Sequence, residues 1–136
     1  MRILSIDLGQ KRTGLAVCDP GETFVSPLAV LENKPDIMGK IFAVIRAENI
    51  QAVVVGLAIN MDGTEGPQAA KARRFAEQLK EQIDLPVYLH DERLSSYDAE
   101  RKLLDADLTR KKMKKRLDAL AAAAILQDFL DSGKKQ

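Results

Sequence analysis

Four acidic side chains stand where a fold could gather them: Asp7, the adjacent Asp91 and Glu92, and Asp118. Asp7 closes the apolar run Ile3-Leu4-Ser5-Ile6 and is followed by Leu8-Gly9, the pattern of a buried strand with a carboxylate at its tip and a tight turn behind it. Taken alone, an Asp-x-Gly is most simply an aspartate that caps its own turn. Asp91 and Glu92 end a second apolar stretch, and Asp118 opens the last helix, where the helix dipole by itself favours a carboxylate. A buried carboxylate must be hydrogen-bonded, paired or bound to a cation. Three of them converging would repel unless a hard cation held them, and Mg²⁺ or Mn²⁺ suits oxygen ligands. Two such ions about 4 Å apart would activate a water and stabilise the leaving oxygen of a phosphodiester. That chemistry needs no histidine base and no cysteine nucleophile. His90, the single histidine, stands at a strand end and reads as structural.

The elements that must position these groups can be read in order. A strand over Arg2–Asp7 and a second over Gly14–Cys18 flank the turn Gly9-Gln10-Lys11-Arg12. Asp19-Pro20-Gly21-Glu22 is a turn, and Thr23–Leu31 is extended, with Pro27 marking an irregular or edge strand. Three strands joined by short turns predict an antiparallel meander. Pro35 is placed as a first-turn helix proline, and Ile37, Ile41, Val44 and Ile45 follow helical spacing. Gln51–Leu57 contains the continuous apolar run AVVVGL, typical of a strand covered on both faces. Helix followed by such a strand predicts a right-handed crossover onto a parallel neighbour. Gln68–Ile83 is a helix with Ala72, Phe75, Ala76, Leu79 and Ile83 on its apolar face, and Leu85–His90 is a short strand. Ser95 or Ser96 could cap a further helix. The last helix spans Leu117–Asp131, with Leu120, Ala121, Ala124, Ile125 and Leu130 expected to bury it.

Between the second apolar strand and the second helix lies Gly56-Leu57-Ala58-Ile59-Asn60-Met61-Asp62-Gly63-Thr64-Glu65-Gly66-Pro67. Gly56, Gly63 and Gly66 make this a loop at the carboxyl edge of an α/β sheet, where ligands usually bind. Asn60 and Asp62 are candidates to order it. Cations stand ready for a polyanion: Lys11 and Arg12 in the first turn, Arg93 after the acidic pair, and Arg110, Lys111, Lys112, Lys114, Lys115 and Arg116 in one run. Six cations in seven residues repel at helical spacing, so the run is expected to be a loop or a frayed helix start that contacts phosphates.

At 136 residues with a net charge of +1, the chain is long enough for one hydrophobic core and has no global basic field. One cysteine, Cys18, excludes a disulfide framework and favours a reducing compartment. No signal pattern and no membrane-length apolar run is present, so a cytoplasmic location is the default.

Five segments together resemble the YqgF-type family, described as Holliday junction resolvases or nucleases of precursor 16S rRNA. They are IDLGQKRTGLAVCDP (Ile6–Pro20), VVVGLAINMDGTEG (Val53–Gly66), RRFAEQL (Arg73–Leu79), DERLSS (Asp91–Ser96) and LDALAAAAILQDFL (Leu117–Leu130). They occur in the family's order and cover nearly the whole chain. The resemblance implies an α/β, ribonuclease H-like fold over residues 1–136: a mixed five-stranded sheet with helices on both faces. It also implies a metal-dependent nuclease with Asp7, Glu92 and Asp118 as its acidic triad, Asp7 bridging both ions. Asp91 is the reserve ligand, because adjacent strand residues point to opposite faces. Ala58 departs from the family's proline after Gly-Leu, and Ser95-Ser96 from its threonines.

The implied partner is structured RNA or branched DNA, with a ribosome precursor among the RNA candidates, and the implied state is monomer or homodimer. Two other classes use similar features. A non-catalytic nucleic-acid or ribosome-assembly module could keep the fold. An ATP-binding domain of the actin and sugar-kinase type shares the strand–Asp-x-Gly–hairpin device but needs two such domains.

Overall fold

The computed structural model describes residues 1–60, 62–91 and 110–132, with the side chains of 110–118 excepted. In chain order the elements are β1 (Ile3–Leu8), β2 (Arg12–Cys18), β3 (Val25–Glu32), α1 (Ile37–Ala47), β4 (Ala52–Leu57), α2 (Pro67–Gln82), β5 (Val87–Asp91) and α3 (Arg110–Asp131). The five strands form one sheet in the order β3-β2-β1-β4-β5.

Connection length explains the strand directions. The turns after β1 and β2 are too short for a crossover, so β1, β2 and β3 pair antiparallel. The turn after β2 is tied by Asp19, whose Oδ1 accepts the amides of Thr23 at 2.7 Å and Phe24 at 2.6 Å. Those donors, the Phe24 amide foremost, hold the Asp19 carboxyl below its ordinary range. The longer connections through α1 and α2 bring β4 and β5 back parallel to β1. β3 is the outer strand beside β2, as Pro27 predicted. Its register slips between Leu15–Ala29 and Ala16–Pro27, which leaves Leu28 as the extra residue of a bulge.

The sheet is covered on both faces. Leu4, Ile6, Leu8, Val53, Val55 and Leu57 face α1 and α2, meeting Ile41, Ile45, Ala72, Phe75, Ala76 and Leu79. Ile3, Cys18, Ala52 and Val54 face α3, under Ile125, Leu126 and Phe129. All six residues of β4 are buried, which is why its sequence runs apolar without alternation. Cys18 is a free thiol in that packing, pushed up from its ordinary value chiefly by burial. Among the described residues no helix is long and apolar enough to cross a membrane.

Several expectations are corrected in detail. Pro35 is not in the first turn of α1; it precedes the N-cap, Asp36, and the helix starts at Ile37. Pro67 does occupy a first-turn position, in α2 behind the N-cap Gly66. Gly56 is not a loop residue. It is the fifth residue of β4 and pairs with His90 of β5. The last helix begins at Arg110, so the cation run is helical backbone rather than a loop. Its buried side chains are Ala119, Ala121, Ala122, Ile125, Leu126 and Phe129, while Leu120, Ala124 and Leu130 are half-buried. Ser95 and Ser96 lie outside the described residues.

Candidate active site

Asp7 is carried by the central strand. It pairs with Gly14 of β2. It stands one step beyond the Ile6–Val55 pair, level with Gly56 of β4, which in turn pairs with His90 of β5. Strand alternation puts Asp7 on the face of Ile3 and Ser5, the α3 face. Ser5 Oγ donates to the Ala122 carbonyl at 2.6 Å, which docks α3 two residues upstream of Asp7. Both strand neighbours at the level of Asp7 are glycines. No side chain from β2 or β4 therefore flanks the carboxylate at that level, and Asp7 is half-buried at the sheet's carboxyl end.

The turn behind Asp7 is held from three directions. Gly9 donates its amide to the Arg12 carbonyl at 2.9 Å. A Cβ on Gly9 would lie 2.5 Å from that same oxygen, so only glycine closes the turn this way. Asn33, just past β3, donates Nδ2 to the Gly9 carbonyl at 2.8 Å and accepts from Thr13 Oγ1 at 2.6 Å. Its own amide donates to the Lys11 carbonyl at 2.9 Å. Gln68, in the first turn of α2, donates its side-chain amide to the Leu8 carbonyl. The side chain of Lys11 stays exposed at the tip, and Arg12 is half-buried. Asn33 and Gln68 were missed in the sequence, because contacts across 24 and 60 residues leave no local pattern.

The β4–α2 loop is a small closed structure. Ile59 and Glu65 form an antiparallel bridge. Within it, Asn60 N donates to Thr64 O and Gly63 N to Asn60 O, both at 2.8 Å. Gly63 adopts φ +89°, a left-handed conformation. Asp62 Oδ1 accepts from Thr64 Oγ1 at 2.6 Å and from its amide at 3.0 Å. These bonds, the hydroxyl foremost, hold the Asp62 carboxyl below its ordinary value. Asn60 Nδ2 donates to Thr64 Oγ1 at 3.0 Å. Glu65 receives a two-pronged contact from Arg73 of α2, at 2.7 and 2.6 Å, which lowers its pKa. The loop is thereby fixed to the helix that also reaches the Asp7 turn through Gln68.

At the end of β5, His90 is buried on the α3 face. Its Nε2 lies 2.6 Å from Asp128 Oδ2 and its ring meets Phe129 edge-on, the structural role expected of it. Asp91 pairs with Leu57 and shares the face of Val87 and Leu89, which pack toward α1 and α2. It therefore stands on the face opposite Asp7. Glu92 and Arg93, and the side chains of Arg110, Lys111, Lys112, Lys114, Lys115, Arg116 and Asp118, lie outside the described residues. Asp118 is in α3 by backbone, four residues before Ala122.

Among the described residues no group of three His, Cys, Asp or Glu side chains could hold a metal ion. What the described part provides is one hard oxygen donor, Asp7, with glycines on both sides. A carboxylate oxygen is the donor type that a hydrated hard cation takes.

A family model described as RuvX, Holliday junction resolvase, matches residues 1–132. Relatives described as "Putative pre-16S rRNA nuclease" align end to end. That of Desulforamulus reducens is 42% identical over 137 residues, covering 99% of this chain and all of the relative. That of Geobacillus kaustophilus is 45% identical over 136 residues, covering 97% and 99%. Among solved structures, Thermus thermophilus RuvC in complex with a Holliday junction substrate aligns at TM-score 0.55 and 19% identity, over 98% of this chain and 96% of RuvC. The fowlpox virus Holliday junction resolvase aligns at TM-score 0.58 and 16% identity, over 97% and 99%. The sheet order, strand directions and helix placement are those of the ribonuclease H-like fold.

Proposed function

The chain belongs to the RuvX family, described as Holliday junction resolvase, and on that premise we propose that it is a metal-dependent nuclease that trims the 5′ end of precursor 16S rRNA. The observation that carries the reading is the setting of Asp7. It is a carboxylate at the carboxyl end of the central strand, flanked by Gly14 and Gly56, in a chain that matches the nuclease family from residue 1 to 132.

In this reading Asp7, Glu92 and Asp118 hold Mg²⁺ or Mn²⁺. When bound, the ions supply an activated water and neutralise charge on the phosphate. The remaining work falls to the chain itself. Asp7 is supported by paired strands on both sides, so it can hold its ligand geometry without rearranging. Glu92 is preferred over Asp91 because β5 alternates and Asp91 shares the face of Leu57. Lys11, Arg12, Arg93 and the Arg110–Arg116 cations bind the backbone phosphates on either side of the cut. The closed Asn60–Thr64 loop borders the substrate from the β4 side. We assign residues 1–136 to one nuclease domain, working in the cytoplasm as a monomer or homodimer.

A cleavage assay tests the reading. Wild type and Asp7→Asn are incubated with a single-stranded RNA carrying a ribosomal-precursor 5′ end and with a four-way DNA junction, in Mg²⁺, Mn²⁺ or EDTA. Metal-dependent cutting of the RNA, lost in Asp7→Asn, is the expected result. Cutting of the junction alone favours the second reading, Holliday junction resolution, which the family description supports. Retained binding with no cutting of either overturns both and leaves an assembly module.

A further inference from the structure

Asn33 spends every polar atom of its side chain on the turn that follows Asp7. Its Nδ2 holds the Gly9 carbonyl at 2.8 Å, and its Oδ1 receives the buried Thr13 hydroxyl at 2.6 Å. Its main-chain amide holds the Lys11 carbonyl at 2.9 Å. Together with the Gly9–Arg12 bond and the Gln68 contact to Leu8, the carbonyls of Leu8, Gly9, Lys11 and Arg12 all accept hydrogen bonds from the protein. A turn held at so many points fixes its tip, where Gln10 and Lys11 are exposed and Lys11 carries the positive charge.

We propose that Asn33 is a positioning residue for nucleic-acid binding: it sets the direction in which Lys11 meets a backbone phosphate next to the one at Asp7. This rests on the reading of the site as one that binds nucleic acid. A freely swinging lysine pays side-chain and loop entropy on each contact, whereas one on a fixed turn is already placed. Asn33 follows the last residue of β3 and is remote in sequence from both groups it aligns.

The test is a double-mutant cycle on binding, separate from cleavage. Affinity for the single-stranded RNA is measured in EDTA across a salt series for wild type, Lys11→Ala, Asn33→Ala and the double variant. Lys11→Ala should weaken binding and reduce the salt slope by about one phosphate contact. Asn33→Ala should reproduce that change, and the double variant should bind no more weakly than Lys11→Ala alone. A wild-type salt slope in Asn33→Ala, multiplicative losses in the double, or no binding by wild type each overturns the proposal. A merely structural role would lower thermal stability without this coupling. Should Asn33→Ala fail to fold, Thr13→Val cuts the other end of the clamp at nearly equal volume and carries the same expectation. The nuclease reading fails on its own terms if the wild type, given Mg²⁺ or Mn²⁺, cuts nothing while the cycle comes out coupled.

Discussion

Nε2 of His90 lies 2.6 Å from Oδ2 of Asp128, and this contact ties the last strand to the last helix. His90 is also edge-on to Phe129 at 5.7 Å, and Phe129 in turn meets Tyr88 at 5.3 Å. The proposed ligand Glu92 follows β5 and the proposed ligand Asp118 belongs to α3, so the same contact joins the two segments that would complete the metal site.

Replacing Asp128 by Ala should cost about 1 kcal/mol, the scale of one hydrogen bond. The cost lies with His90, whose side chain is 7% exposed while that of Asp128 is 59% exposed. Nδ1 of His90 already lacks a protein partner among the described residues, and the variant would orphan Nε2 as well. Asp128→Asn should recover most of the loss. Urea unfolding midpoints check this; equal midpoints for Ala and wild type would refute the strut.

Phe129→Ala should destabilise by about 3–5 kcal/mol, because it empties a fully buried aromatic site between Tyr88, His90 and the sheet. Leu130→Ala, at a half-buried position, should cost about 1–2 kcal/mol. Reversal of this order in denaturant unfolding would mean that α3 is rotated about its axis from the orientation described.

Three glycines should respond to alanine in three ways. Gly9→Ala drives a Cβ into the Arg12 carbonyl and should cost about 2 kcal/mol or more. Gly63→Ala meets no atom within 4 Å but sits at φ +89°, so it should cost about 1 kcal/mol from backbone strain alone. Gly39→Ala, in open space within α1, should stabilise by about 0.5–1 kcal/mol. Thermal unfolding of the set measures all three, and a stabilised Gly9→Ala would contradict the turn geometry.

Cleavage should separate Asp7 from Asp91. Asp7→Asn should lose at least about a hundredfold in rate, since it removes several kcal/mol of charge stabilisation at the phosphate. Asp91→Asn should cut within about threefold of wild type, because Asp91 stands on the opposite face of the sheet. An Asp91→Asn variant as dead as Asp7→Asn would reverse the choice of Glu92.

Acid should loosen the Asn60–Thr64 loop. Asp62 is lowered from its ordinary value by the Thr64 hydroxyl first and the Thr64 amide second. A depressed carboxyl stabilises the folded loop above its unfolded value, about 3.9, and that support is lost as pH falls through the lower folded value. An NMR titration should show Asp62 ionising below the ordinary range, and Thr64→Val should return it upward. An unshifted Asp62 in wild type would dissolve the claim.

Much of this was legible in the sequence, and the reasons differ by residue. The meander, the crossovers and the place of Asp7 follow from turn lengths and from the run Val53–Val55, all local signals. The buried face of α3 was legible only in part, with Ala121 and Ile125 buried as expected, because residues 119–126 are all apolar and offer no polar phase to mark the outside. The face taken by Asp91 could not be read until the register of β5 against β4 put it level with Leu57, opposite Asp7. Asn33 and Gln68 gave no sign at all, since an amide becomes a clamp only once a distant turn is folded against it.

Pro27 and the bulge at Leu28 have a consequence for how the molecule keeps company with copies of itself. An outer strand ordinarily presents a row of amides to any passing chain, the starting point of edge-to-edge aggregation. Here that row lacks a donor at Pro27 and is bent where Leu28 is left over, so a further strand finds no continuous ladder to join. Protection against self-association is written into the rim of the sheet, at the strand farthest from β5.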